Sequence, residues 1–250
     1  MAQLANKIAI ITGAGGGFGK GIAHAYVAEG AKVVLADINA ESVRQVADEL
    51  GEHAAAFTCD VSNGAQIRAL VEHCITTFGS PEIVVNNAGI AQLNSPLLDV
   101  DEATFDHIFA VNVKSIFHMT QAVVPLMRRQ GRGVILNIGS TAGIRPRPGL
   151  TWYNASKAAV NNISKSMAVE LGPEKIRVNA ICPVMGETGL LAQFMGVPDT
   201  PENRAKFMAT IPLGRFSQPR DVAAVAVFLA SDAAEFLTGL ELPVDGGRTV

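Results

Sequence analysis

Short runs of apolar, mostly β-branched residues alternate along this chain with longer stretches in which apolar residues recur every three or four positions. Six runs read as strands: Ile8 to Ile11, Lys32 to Ala36, Ala54 to Thr58, Ile83 to Asn86, Val134 to Ile138 and Arg177 to Ile181. Most are apolar throughout, the pattern of parallel strands covered on both faces. Helical periodicity runs over Lys20 to Glu29, Ala40 to Leu50 and Gln66 to Phe78, and over the longer segments Thr104 to Arg129 and Trp152 to Leu171. Repeated strand–helix units with short loops predict an α/β fold, a doubly wound parallel sheet with helices on both faces. With no linker, repeat or low-complexity segment, the chain reads as a single domain.

One segment breaks the rhythm. Pro183 to Pro219 contains five prolines, and its apolar residues Leu190, Leu191, Phe194 and Met195 support only short helices. A surface excursion would look the same. Its place just after a strand C-terminus, where ligands bind in such sheets, favours a helical substrate loop or lid over about residues 184–218.

Composition adds little to the fold and more to the surroundings. Apolar residues make up 48% of the 250 and charged residues 17%, which suits a large core and an apolar subunit interface. The net charge of −3 gives no reason to expect nucleic acid or an anionic membrane as partner. The longest apolar stretch, Val222 to Ala230, is far short of the ~20 residues of a membrane span. The N-terminus runs straight into strand-like Lys7 to Ile11, so no signal peptide is expected. Cys59, Cys74 and Cys182 are widely spaced without a CxxC, which reads as reduced thiols in a cytoplasmic protein. The five histidines show no HxxxH or HExxH spacing, so no metal site is expected.

The candidate chemistry lies at two places. After the first strand, Thr12-Gly13-Ala-Gly-Gly-Gly17-Phe18-Gly19 lacks strict GxGxxG spacing but keeps glycines 13, 17 and 19 ahead of a helix. Such glycines allow close backbone approach, and the helix N-terminus offers free N–H groups to a pyrophosphate. Asp37 ends the second strand, where a carboxylate accepts hydrogen bonds from adenosine ribose hydroxyls and repels a 2′-phosphate. The next residue is Ile38, and no Arg or Lys in the turn could neutralise that phosphate; NAD rather than NADP follows. Asp37 could instead cap the following helix, a role open to Asn39 as well. Asp60 and Val61 end the third strand, near where adenine would lie.

The second place is Tyr153-Asn-Ala-Ser-Lys157, with Ser140 thirteen residues upstream of Tyr153. On a helix, positions i and i+4 share a face, so Lys157 lies beside the Tyr153 hydroxyl. An adjacent ammonium favours the phenolate of a group that titrates near ~10. Tyr153 is thus a candidate acid/base for hydride transfer at a carbinol or carbonyl carbon, with Ser140 as a second hydrogen-bond donor.

Together these motifs resemble the short-chain dehydrogenase/reductase family, over essentially the whole chain. The turn from Thr12 to Gly19 matches the family's cofactor turn, Asn86-Asn87-Ala88-Gly89 its central-strand motif, and Asn112 its mid-helix asparagine. Ser140, Tyr153 and Lys157 match its catalytic serine, tyrosine and lysine; Asn179 to Pro183 and Asp245-Gly246-Gly247 resemble its late strand and C-terminal turn. The resemblance implies a Rossmann fold that binds NAD, with Gly13, Gly17, Phe18, Gly19, Asp37, Ile38, Asp60, Val61, Asn87, Tyr153, Lys157 and Thr188 as cofactor contacts. It implies that Tyr153 moves the hydroxyl proton. Lys157 lowers the Tyr153 pKa and binds the nicotinamide ribose, Ser140 holds the substrate oxygen, and Asn112 positions a water linking Lys157 to solvent. Many members have glycine after the proline matched by Pro183; here Val184 is expected to narrow the pocket.

A small alcohol or ketone is the expected substrate, in a mostly apolar pocket drawn from Gln92, Leu93, Thr141, Gly143, Leu150, Trp152, Val184, Met185, Leu190, Leu191 and Phe194. Arg145 and Arg147 read as a solvated loop, with the grip of a substrate carboxylate or phosphate as the alternative. Arg128, Arg129 and Arg132 could receive an acidic carrier protein or complement a helix C-terminus. The leading expectation is an NAD-dependent secondary-alcohol dehydrogenase or ketoreductase. The alternatives are a 3-oxoacyl thioester reductase acting on carrier protein or coenzyme A, and a catalytically silent NAD-binding scaffold. A homotetramer is expected from Phe105, Phe109, Ile116, Phe117 and Val123 on one long helical segment and Ala155, Ala158 and Ala159 on the other.

Overall fold

The computed structural model describes residues 2–187, 189 and 191–250. A seven-stranded sheet in the order β3-β2-β1-β4-β5-β6-β7, parallel throughout, forms its centre. The strands are β1 (Ile8–Thr12), β2 (Lys32–Asp37), β3 (Ala54–Thr58), β4 (Ile83–Asn86), β5 (Gly133–Ile138), β6 (Ile176–Pro183) and β7 (Glu241–Val244). The first six coincide with the predicted runs to within two residues at each end. β7 has no counterpart among those runs: at four residues including Pro243 it has little strand signal, and it forms because its backbone pairs with Ala180 to Pro183 of β6.

The apolar runs split by alternation into two cores. Ala9, Ile11, Val33, Leu35, Val85, Leu136 and Ile181 face α1 (Gly17–Ala28), α2 (Ala40–Leu50) and α9 (Pro219–Ala230). Ile10, Val34, Val84, Ile135 and Val178 face α3 (Gly64–Thr77), α5 (Ser115–Gln130) and α6 (Thr151–Leu171). Each such fully buried Val, Leu or Ile side chain contributes roughly 1.5–3 kcal/mol of transfer free energy. That two-sided demand is why the strands carry no polar alternation.

The predicted helix from Thr104 to Arg129 is divided. It comprises α4 (Glu102–Phe109), a wide turn of π geometry over Ala110–Lys114, and α5. Ile116 and Val123 point into the core, so the exposed apolar surface expected of this segment reduces chiefly to Phe117 with half-buried Phe105 and Phe109. The proline-rich stretch holds two short helices, α7 (Leu191–Met195) and α8 (Pro201–Met208), over a small core of Val184, Leu191, Met195, Ile211 and Phe216. Among the described residues, no helix is long and apolar enough to cross a membrane.

The strand order reverses between β1 and β4, which opens a crevice at the C-terminal edge of the sheet. The candidate site lies on that edge.

Candidate active site

The turn after β1 is built to admit an anion. The Thr12 hydroxyl accepts the N–H groups of Asn87 and Ala88 at 3.1 Å each, and the Asn87 amide donates to Thr12 O and Gly13 O at 2.9 Å each. These bonds lock the turn to the loop after β4, across the point where strand order reverses. Gly13 and Gly17 have φ of +63° and +53°, in the left-handed region that favours glycine. A Cβ on Gly19 would lie 2.2 Å from Gly13 O, so only glycine lets α1 pack this close. The cap of α1 is Gly16, which has no side chain to occupy the first N–H groups of the helix.

Asp37 stands over this turn. Its Oδ2 accepts the Gly15 N–H at 2.9 Å and its Oδ1 the Asn39 N–H at 3.0 Å. The cap of α2 is Asn39, which accepts from Glu41 N and Ser42 N, so Asp37 is not spent on capping. Two further cofactor candidates sit elsewhere: Ile38 is exposed, and Asp60 folds back on its own loop, accepting from the N–H and hydroxyl of Ser62. Neither they nor buried Val61 line the cavity described next. The turn, the uncapped helix start and the ribose-directed carboxylate fit an NAD dinucleotide.

A cavity of about 460 Å³ runs from this turn to the end of β5. Its wall includes Gly13, Gly17, Phe18, Asp37, Asn87, Ser140, Thr141, Leu150, Tyr153, Lys157, Val184, Met185 and Phe194. Thus one space joins the cofactor turn to the serine, tyrosine and lysine. Ser140 follows β5, while Tyr153 and Lys157 lie one turn apart on α6, all three buried.

Burial pushes the Tyr153 hydroxyl up to about 12; the nearby Ser140 hydroxyl and Arg147 guanidinium pull the other way. The sequence pattern makes Lys157 the cation that lowers Tyr153. In the structure its Nζ lies 6.0 Å from the Tyr153 ring centroid and donates to Ile138 O at 2.8 Å, and the Arg147 guanidinium is a second cation near the hydroxyl. Burial also lowers Lys157 to about 8, which leaves it mostly protonated at neutral pH.

Asn112 lies in the π turn, a geometry frequent at functional sites. The extra residue brings its amide to the loop after β4. Oδ1 accepts the Ile90 N–H at 2.9 Å, and Nδ2 donates to Ile90 O and to the Ser156 hydroxyl at 2.9 and 3.0 Å. A Cβ on Gly89 would meet both Asn112 Oδ1 and Lys157 Nζ, at 3.2 and 3.3 Å. Asn112 therefore fixes the backbone that runs beside Lys157.

Other pocket candidates have different duties. Gln92 is buried with Oε1 accepting the Tyr153 N–H, so it anchors the start of α6. Trp152 packs edge-on against Phe105 with 5.3 Å between centroids and donates to Leu97 O. Gly143 lets its turn touch α6, since a Cβ there would lie 2.7 Å from Ala158 N. Leu191 belongs to the small core under α7, and Leu93 is exposed. Thr188 and Leu190 lie outside the described residues. Among the described residues there is no metal-binding cluster. Phe207, Thr210, Arg248 and Thr249, which belong to no sequence motif of the site, also line the cavity. Their signal is absent locally, because they reach the site only when the loop before α9 and the C-terminal turn fold over it.

A family model described as enoyl-(acyl carrier protein) reductase matches residues 13–249. The chain is 48% identical to 4-formylbenzenesulfonate dehydrogenase of Comamonas testosteroni, over 99% of this chain and 100% of that protein. It is 40% identical to 2-(S)-hydroxypropyl-CoM dehydrogenase 3 of Xanthobacter autotrophicus, over 99% and 98%. A crystal structure of 3-ketoacyl-(acyl-carrier-protein) reductase from Brucella melitensis, complexed with NADH, superposes with a TM-score of 0.94 at 43% identity, covering 99% of this chain and all of that one. With its cofactor turn, its Ser140–Tyr153–Lys157 arrangement and these end-to-end matches, the chain belongs to the short-chain dehydrogenase/reductase family of oxidoreductases.

Proposed function

We propose that the protein is an NAD-dependent dehydrogenase or reductase that interconverts an alcohol and its aldehyde or ketone. One observation carries the reading: Ser140, Tyr153 and Lys157 line the same cavity as the glycine turn and Asp37. NAD supplies the hydride acceptor, and NADH the hydride donor. The chain supplies the rest. Tyr153 takes the hydroxyl proton in oxidation and returns it in reduction, while Ser140 holds the substrate oxygen. Lys157 binds the cofactor ribose and favours the phenolate through its charge. Asn112 keeps the Gly89–Ile90 backbone beside Lys157. Asp37 selects the unphosphorylated ribose. Positioned acid–base help of this kind contributes ~10²–10⁴ in rate.

Residues 184–218 act as the substrate lid. They carry Val184, Met185 and Phe194 to the cavity, and the Phe194 ring lies 5.1 Å from that of Tyr153. The thioester-reductase alternative is less well supported. Arg128 is already paired with Glu174 and Arg132 with Glu82, next to the start of β5 and thus at the opposite edge of the sheet from the cavity. The matched relatives' names span an aryl aldehyde, a secondary alcohol and a 3-ketoacyl group, so hydride chemistry at carbon–oxygen bonds is what they share.

We place the enzyme in the cytoplasm as a homotetramer. Its three cysteines are unpaired and buried, which suits a reducing compartment. An apolar groove lined by Phe109, Val113, Phe117, Ile163 and Met167 runs along α4–α6, with Ala155 and Ala158 exposed on α6. Light scattering that showed a 26 kDa species at all micromolar concentrations would exclude the oligomer. NADH and NADPH oxidation across ketones, β-ketoesters, acyl thioesters and sugars tests the activity: NADH-specific turnover of a free carbonyl is expected, and turnover of thioesters alone would favour the alternative.

A further inference from the structure

The charges on the cavity wall are divided by place. Among the described residues its one carboxylate, Asp37, is at the glycine-turn end. Besides Lys157, the charged groups at the other end are Arg145, Arg147 and Arg248. Among the described residues, none of these three forms an ion pair with a carboxylate or with the chain terminus. By contrast Arg128, Arg132, Arg204 and Arg215 each do.

Arg147 is the centre of the group. It is half-buried, its guanidinium lies 5.1 Å over the Phe207 ring, and it donates to Met185 Sδ at 3.0 Å and Phe194 O at 3.3 Å. A thioether is a weak acceptor, and a guanidinium has five N–H donors. Burial and the neighbouring Arg248 both work against its charge. Removing a guanidinium from water without a counter-charge is unfavourable, and a guanidinium stays protonated in proteins. The surrounding structure nevertheless holds the group there. The Asp245 carboxylate accepts from Gly247 N, Thr249 N and the Thr249 hydroxyl, which fixes the turn carrying Arg248. Arg145 donates to Arg248 O at 3.0 Å and ties that turn to the loop after β5.

We propose that Arg147, with Arg248 beside it, binds an oxyanion on the substrate, so that the natural substrate is an alcohol or carbonyl compound with a carboxylate or sulfonate at the end remote from the reacting carbon. The inference rests on the dehydrogenase reading given above. Planar, bidentate contact with such a group satisfies the unused N–H donors and supplies the missing counter-charge. The aromatic and thioether groups around it, Phe194, Phe207 and Met185, pack on the body of the molecule between its two polar ends.

Matched probes test this. On the NADH-loaded protein, benzenesulfonate and benzoate should bind, and the neutral analogue benzamide should bind at least ~10-fold more weakly. Arg147→Met should abolish the difference, and Arg147→Lys should keep part of it, while NADH affinity measured on the same variants reports that the fold is intact. In turnover, kcat/KM for 4-(hydroxymethyl)benzenesulfonate or 4-(hydroxymethyl)benzoate should exceed that for 4-methylbenzyl alcohol by the same order, again only with Arg147 present. Equal handling of charged and neutral probes, or a preference that survives Arg147→Met, overturns the proposal. Anion binding without turnover of any alcohol would instead overturn the dehydrogenase reading and leave the anion site standing; the sulfonate and carboxylate arms then distinguish which oxyanion the site prefers.

Discussion

On one side of the cavity Ser140 stands just after β5, and Tyr153 and Lys157 stand on α6, held by bonds among buried groups. Lys157 donates to Ile138 O, Asn137 donates to Ser164, and Asn86 donates to Asn137 across neighbouring strands. On the other side Val184, Met185 and Phe194 stand on a segment with two short helices and a small core of its own, attached through a bridge between Gly186 and Ser217. The first wall is packed on the main sheet through buried side chains of α6. The second can adjust without opening either of the two main cores. In the function proposed above, reaction chemistry sits on the first wall and substrate recognition largely on the second, and the two meet at the Tyr153–Phe194 ring contact.

That division sets the order of expected effects. Lys157→Ala should have the largest, because one ammonium serves two tasks on the first wall: turnover should fall by ~10²–10⁴ and NADH affinity should fall with it. Steady-state rates together with fluorescence titration of NADH measure both, and loss of one without the other would break the assignment. Exchanging the charge at the far end should be next. Asp37→Ala combined with Ile38→Arg should move the NADPH-to-NADH ratio of kcat/KM by ~10-fold or more, since a repulsive carboxylate is replaced by an attractive cation. A wild-type enzyme that already prefers NADPH would contradict the ribose argument at its first step.

The adaptable wall should respond differently. Phe194→Ala should raise KM by ~10-fold, the scale of losing a partly buried aromatic contact, with kcat changed much less. A kcat loss as large as that of Lys157→Ala would erase the distinction between the two walls. The smallest effect is a pH dependence. Burial lowers Lys157 to about 8, so its ammonium is present below that pH and is lost as pH rises through it. NADH affinity should therefore weaken between pH 7 and pH 9, and the dependence should be absent in Lys157→Ala. A flat wild-type profile over that range would contradict it.

The same division explains what is legible in the sequence. Strands buried on both faces leave apolar runs such as Val134 to Ile138, and a helix carrying Tyr153 and Lys157 leaves fixed i, i+4 spacing, so both are visible in one dimension. β7 is not visible there because its order comes from β6 and not from its own residues. The charged end of the cavity is hidden for a related reason. Arg147 sits in a Pro- and Gly-rich loop that looks solvated in sequence; it becomes half-buried only when Phe194, Phe207 and the turn at Arg248 close over it from distant parts of the chain. Gln92 and Trp152, which look like pocket residues from their position, are drawn away by Tyr153 N and Leu97 O.

In the proposed reaction Tyr153, which lies beside Ser140 and the ring of Phe194, moves the substrate proton. Single-turnover hydride transfer in Tyr153→Phe, with NADH binding measured on the same preparation, tests it most directly. Unchanged NADH affinity is expected, with a transfer rate lower by at least ~10², the scale of losing a positioned general acid. Near-normal transfer in that variant would contradict it.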